Sequence, residues 1–174
     1  MRIERLEKNE WLKFKGSVVV PIIKTLNMKS QNPYWYLNNS VCEWIIYQGY
    51  KRKSKILLYF GIAINKIIRE IFLLIFNKSK RMNSKVFALH GSFVIFSRDV
   101  LKKIGIPYDE EMFLFAEEAH LAHMLLRNNI NSYITKSVEV IHKEDGSLKI
   151  SNIDMKSEIR KSVLTYYEKW HKNS

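Results

Sequence analysis

Cysteine is nearly absent. The single Cys42 has no partner within the chain, so no intramolecular disulfide braces the fold and a reducing setting is expected. Glycine and proline are sparse, six and three in 174 residues. That scarcity excludes a Gly-rich phosphate loop and a low-complexity linker, and no internal repeat is found. The opening stretch MRIERLEKNEWLKFKG has charges spread through it and no apolar run of the secretory kind, so a cytoplasmic location is expected. Acidic residues are also in short supply, 17 Asp and Glu against 29 Lys and Arg, for a net charge of +12. What the chain does have is 47% hydrophobic and 26% charged residues, enough for one globular domain that buries roughly 70% of its unfolded surface.

The excess charge is concentrated. Residues 51 to 85 hold ten cations and one anion, Glu70, and so supply +9 of the +12. Between the basic clusters, Ile56 to Phe76 is apolar except for Asn65, Lys66, Arg69 and Glu70, which share one narrow stripe at helical spacing. Two cations and a carboxylate near mid-span exclude a transmembrane helix, because each would cost a few kcal/mol, roughly, in hydrocarbon. An interfacial helix is compatible, with KRKSK (51 to 55) and NKSKR (77 to 81) meeting anionic headgroups. A core helix with solvated basic ends is the plainer reading. Nucleic acid is the weakest of the three: seven of the ten cations are Lys, and the aromatics nearby belong to the apolar helix rather than to a stacking surface.

Elsewhere, β-branched Ser17 to Ile23 reads as a buried strand and residues 24 to 40 as a loop. Val86 to Phe96 has a strand pattern broken at His90, Gly91 and Ser92, where a missing side chain permits close approach of a backbone or ligand, or marks a β-bulge. Ser97 caps a short helix, 98 to 104, with Gly105 at its C-cap and Pro107 preventing its resumption. A second helix is expected over about 115 to 129, with Glu117 and Glu118 in its first turn and Asn128-Asn129 at its end. A strand over 132 to 141, a polar loop over 142 to 147 and a final helix over about 154 to 170 complete the pattern. The expected fold is α/β, a small mixed sheet flanked by helices, with the basic amphipathic helix standing apart from the sheet. Three segments follow: 1–50, strand and loop; 51–85, the basic helix; 86–174, the remainder. Glu117, His120 and His123 share a helix face, but that spacing provides too few ligands for a metal.

The run from Gly91-Ser92-Phe93 to Arg98, then Phe113-Leu114-Phe115-Ala116-Glu117-Glu118, then Val140-Ile141-His142 before Gly146-Ser147, resembles the C-terminal, acceptor-side half of family 2 glycosyltransferases of the GT-A type. These are bacterial, rhamnosyltransferase-like enzymes of capsule, O-antigen and other surface-polysaccharide synthesis. The similarity spans about residues 84 to 170, and Gly16 to Ile23 matches the strand after the family's metal motif. The resemblance implies a partial nucleotide-diphospho-sugar transferase fold and inverting transfer to a glycan or lipid-linked acceptor. It makes Glu118 the base, Glu117 its supporting neighbour, and His90, Gly91 and Ser92 the acceptor-side residues. His142 matches a histidine that reaches the metal or diphosphate in several members; the other reading is a polar surface residue.

An inverting transfer needs a carboxylate that takes the acceptor hydroxyl's proton while its oxygen attacks the anomeric carbon. Unpaired N–H groups in a helix's first turn favour the ionised form, so Glu118 is expected to stand ready as carboxylate; a helix that simply begins with acids is the plainer reading. The chain departs from the family pattern in having no Asp-x-Asp. It is therefore expected to need a separate donor-binding half, with Mn²⁺ or Mg²⁺ serving the complete enzyme. Nucleotide sugar, acceptor and the anionic inner face of the cell membrane are the expected partners.

Overall fold

A run of β-branched residues with no polar member before Lys24 must be covered on both faces. In the computed structural model, which describes residues 14–112, 116–143 and 154–172, that run is β1 (Val18–Lys24), buried throughout except at Lys24. It lies inside a four-stranded mixed sheet. On one side it runs parallel to β4 (Ser132–Ile141), with Val18 opposite Ser132; on the other it pairs antiparallel with the two-residue β3 (Ile95–Phe96). The antiparallel β2 (Asn83–Val86) lies beyond β4 and gives the order β2-β4-β1-β3.

Among the described residues five helices surround the sheet: α1 (Ser40–Lys51), α2 (Lys55–Lys78), α3 (Arg98–Ile104), α4 (Glu117–Arg127) and α5 (Met155–His171). Local chemistry starts several of them. The side chains of Asn39, Ser54, Ser97 and Asp154 accept from backbone N–H groups in the first turns of α1, α2, α3 and α5. Helices α1 and α2 form a tight hairpin in which Gly49 lies against the backbone of Leu58, so close that a Cβ there would be 2.7 Å from the Leu58 nitrogen. At the far end of α2, Lys136 donates to the carbonyls of Phe76 and Ser79, a cation at the helix C-terminus. Lys136 can reach them because β4 bulges there: Pro21 is opposite Thr135, but Ile22 is opposite Glu139.

The apolar interior has two parts. Val18, Val20 and Ile22 of β1 pack with Phe72, Leu73 and Phe76 of α2 and with Leu121 and Leu125 of α4. Trp35, Ile46, Met112, Ala119 and Tyr166 make the second cluster, between α1, α4 and α5. The mixed α/β class is therefore as expected, and the short helix over 98 to 104 falls where its Ser97 cap placed it.

Three details differ. The first segment, 1–50, holds a helix as well as strand and loop, because Asn39 caps a run whose apolar Cys42, Ile46 and Tyr47 face inward. The strand expected over 86 to 96 is broken: β2 ends at Val86, Ala88 makes an isolated bridge to Trp35, and the chain resumes sheet pairing only at Ile95. Its interruption at His90-Gly91-Ser92 forms a turn instead. Finally, α2 does not stand apart, since Phe72, Leu73 and Phe76 belong to the core. It nevertheless presents Ile56, Tyr59, Phe60, Ile67, Ile71, Leu74 and Ile75 outward, each between 53% and 83% exposed. The start of the helix expected at 115, the Phe113-Leu114-Phe115 run, most of the 142 to 147 loop and Gly146-Ser147 lie outside the described residues.

Candidate functional site

Parallel strands β1 and β4 end together, and ligands of open α/β sheets bind beyond such carboxyl ends. His142 follows β4, its backbone N–H donating to the Lys24 carbonyl at 2.8 Å, while its Nδ1 is 3.0 Å from Gln31 Oε1 on the chain leaving β1. The ring of His90 stands edge-on to it, with centroids 5.9 Å apart. His90 is oriented by the backbone N–H of Ser92, which donates to its Nδ1 at 3.2 Å. Burial, helped by the charges of His142 and Arg69, lowers the His90 pKa to about 4, so this imidazole is neutral at physiological pH.

One residue further on, Gly91 donates its N–H to Glu118 Oε1 at 3.3 Å. A Cβ at position 91 would be 3.2 Å from that oxygen, tighter than ordinary contact, so glycine is what lets the carboxylate close on the turn. Glu118 sits in the first turn of α4, whose N-cap Ala116 has no side-chain acceptor to offer. The carboxylate therefore meets orphan N–H groups there and accepts from its own backbone N–H. Its other oxygen, Oε2, is buried with no hydrogen-bond partner. Burial raises the Glu118 pKa above the usual carboxylate range, with the neighbouring Glu117 charge adding to it, against the two backbone hydrogen bonds. The helix N–H groups expected to favour the carboxylate oppose this shift, but desolvation outweighs them and the direction is upward. Burial also raises the Tyr34 and Tyr108 hydroxyls, and the charges of both glutamates push them the same way.

The sequence-derived residues Glu118, Gly91, Ser92, His90 and His142 thus come together from three separate stretches, with Glu117 beside the pair. A ligand set for metal does not assemble around His142 among the described residues: the group of three or more possible ligands found there is Glu43, His123 and His171. His142 and His90 offer two imidazoles, fewer than a divalent ion requires.

The polar stripe of α2 is shared between interior and solvent: Asn65 and Arg69 are half-buried, while Lys66 and Glu70 are exposed. Asn65, Lys66 and Arg69 line a cavity of about 390 Å³ with Tyr34, Glu43 and Tyr166, bounded by α1, α2, α4 and α5. Asn65 donates to the Tyr34 carbonyl at 3.4 Å, and Arg69 pairs with Glu70 at 2.8 Å while its Nε is buried without a partner.

Sequence reasoning missed Glu43. It is fully buried on α1, where Oε2 accepts from Tyr166 and lies 3.1 Å from His123 Nε2 and 2.7 Å from His171 Nε2. Burial pushes its pKa up, but the hydrogen bonds from His123, Tyr166 and His171 outweigh that and hold it below the usual range. The signal was a lone carboxylate in the apolar run Val41-Cys42-Glu43-Trp44-Ile45-Ile46. His120 is engaged separately, accepting from the Trp170 indole at 3.0 Å. Comparison with family models, curated proteins and solved structures gives no match for this chain.

Proposed function

We propose that the chain is the acceptor-side part of a GT-A-like, inverting nucleotide-sugar glycosyltransferase of the family 2 kind, working on a glycan or lipid-linked acceptor. The observation that carries the reading is the Glu118 carboxylate, held by Gly91 at one oxygen and unpartnered at the other. A buried carboxylate with raised pKa is the stronger base, and its unpartnered oxygen has a lone pair to spare. In the step, the acceptor hydroxyl gives its proton to the Glu118 carboxylate. The acceptor oxygen bonds to the anomeric carbon as the bond to the nucleoside diphosphate breaks on the opposite face. Glu117 raises the basicity of Glu118 through its charge, and neutral His90 orients a hydroxyl without competing for the proton.

Diphosphate departure in this enzyme class is assisted by Mn²⁺ or Mg²⁺. The described residues do not assemble a site for that ion near His142, so no step of this chain is routed through it. A separate donor-binding half is the proposed partner. The test is nucleoside diphosphate release with a lipid-linked acceptor, in a preparation supplemented with such a half. Glu118→Gln should lower the rate by about 10² to 10⁴-fold with the fold intact. Glu117→Gln should do less harm. An unchanged rate for Glu118→Gln in an active preparation reduces the acidic pair to a helix start.

The outward row of α2 supports a place for this activity, or for a non-catalytic module derived from such an enzyme: the anionic inner face of the membrane. Seven large apolar side chains on one side of a helix, with Lys51, Arg52 and Lys53 before it and Lys78, Lys80 and Arg81 after it, match an interfacial helix that presents apolar surface to lipid and cations to headgroups. Among the described residues no helix is long and apolar enough to cross a membrane. Nucleic-acid binding is the weaker reading, because the exposed row is aliphatic more than aromatic.

A further inference from the structure

We propose that Glu43, His123 and His171 form a zinc-class divalent metal site that joins α1, α4 and α5. The site lies outside the Glu118 region and does not depend on the transferase reading. Its three ligand atoms come from three helices and all lie within 4.8 Å of one another. Tetrahedral zinc, roughly 2.0–2.1 Å from each ligand atom, separates neighbouring ligand atoms by about 3.3 Å. The present Glu43–His171 and Glu43–His123 spacings of 2.7 and 3.1 Å need adjust only by tenths of an ångström. Two imidazoles and a carboxylate favour zinc over magnesium or calcium, which prefer sets made wholly of oxygen.

A second observation points to a missing cation. Glu43 has no exposed side-chain surface, yet its Oε1 lacks any hydrogen-bond partner. A buried carboxylate oxygen in that condition is costly, and a metal bound by both carboxylate oxygens, Oε2 at the spacings given and Oε1 beside it, removes the deficit. The surroundings are those of a supported site. The Tyr166 hydroxyl donates to Oε2 and fixes the carboxylate's orientation. The imidazoles are held by ring contacts, His171 stacked on Tyr167 at 4.5 Å and His123 stacked on Trp170 at 5.3 Å. The histidine side chains keep 11% and 18% of their surface, which leaves a route for the ion and a fourth position for water. A hydrogen-bonded cluster that holds only protons is the competing arrangement, and the experiment separates the two.

The full chain is stripped with chelator, then titrated with Zn²⁺ by calorimetry and with Co²⁺ by visible absorption. One equivalent of each should bind, Co²⁺ should show the intense bands of four-coordinate geometry, and Zn²⁺ at a hundredfold excess over Kd should raise the Tm by roughly 5–10 °C. His171→Ala, at the most exposed ligand, should lose at least about tenfold in affinity. His142→Ala should bind as the wild type does. Absence of one-to-one binding, a six-coordinate cobalt spectrum, or an unaltered affinity in His171→Ala would overturn the site. If His171→Ala does not fold, the wild-type stoichiometry and cobalt spectrum decide on their own.

Discussion

Replacing Gly49 by alanine opposes two effects of known size. In a helix interior the change is favourable by about 1 kcal/mol, because alanine surrenders less backbone entropy. Against that, the new Cβ falls 2.7 Å from the Leu58 nitrogen and 2.8 Å from its Cα. Carbon contacts are comfortable at about 3.5–4.0 Å, so α1 and α2 would have to separate by nearly an ångström at their crossing. The obstacle is backbone and has no rotamer to change. Overpacking costs about 1–3 kcal/mol, and an obstacle made of backbone falls in the upper part of that range, about 2–3 kcal/mol. Steric overlap wins, and Gly49→Ala should be destabilised by about 1–2 kcal/mol, a fall in Tm of roughly 2–8 °C for a chain this size. Gly61→Ala is the internal control. Its Cβ meets a side-chain atom, Ile46 Cγ1, at 2.7 Å and the Ile46 backbone nitrogen only at 3.3 Å, so less backbone has to move than at Gly49 and the loss should be smaller. Thermal and urea unfolding of the two variants beside wild type would decide the matter. If Gly49→Ala proved as stable as wild type, or more stable than Gly61→Ala, the tight α1/α2 crossing would be wrong.

Glu118→Gln should be more stable than wild type at pH 7, with the gap closing toward pH 4, because a carboxyl whose pKa is raised in the fold loses stability as pH climbs through the window from its unfolded to its folded value; urea midpoints at both pH values check the sign, and a gap that widens on acidification contradicts it. Glu43 behaves oppositely: its lowered pKa gives stability that is present above the unfolded carboxylate value and lost as pH falls through the folded one. Accordingly, Glu43→Leu should cost about 3–5 kcal/mol at neutral pH by leaving Tyr166, His123 and His171 without their shared acceptor, and chemical denaturation of the variant measures it. Co-sedimentation should show tighter binding to anionic than to neutral vesicles, weakened by salt and by Lys51, Arg52 and Lys53 changed to Glu; equal retention on neutral vesicles would argue against headgroup recognition.

Much of the chain was legible because its signals are local. Ser97 and Asn128 bounded helices, Val18 to Ile23 declared a covered strand, and the spacing of Asn65, Lys66, Arg69 and Glu70 declared a helix with a polar stripe. Which way that stripe faces was not local information. Polar residues ordinarily meet water, but here Asn65 and Arg69 turn half-buried into the cavity, whose rim Lys66 shares from the solvent side, and the apolar row is left outside. The proximity of Gly91 to Glu118 was accessible only through a resemblance, since 27 positions separate them. The upward direction of the Glu118 pKa shift was hidden for a related reason: the helix N-terminus is written in the sequence, whereas desolvation comes from distant elements that cover it. Glu43 was overlooked because its partners lie 80 and 128 positions away, on helices that no pattern links to α1.

The pairing of β1 with β4 also bears on how the molecule forms. Val18 finds Ser132 only after nearly the whole chain has been laid down, so the loop entropy of that closure must be met late and in one step. The α1/α2 hairpin needs no such wait: its contacts are between neighbours in sequence, and its two capped helices are free to assemble first. During that interval β1, with six consecutive residues destined for burial, and the outer row of α2 are both uncovered. Aggregation in the interval before the sheet closes is thus a hazard of this topology, and one that a surface able to take up the α2 row would reduce during synthesis.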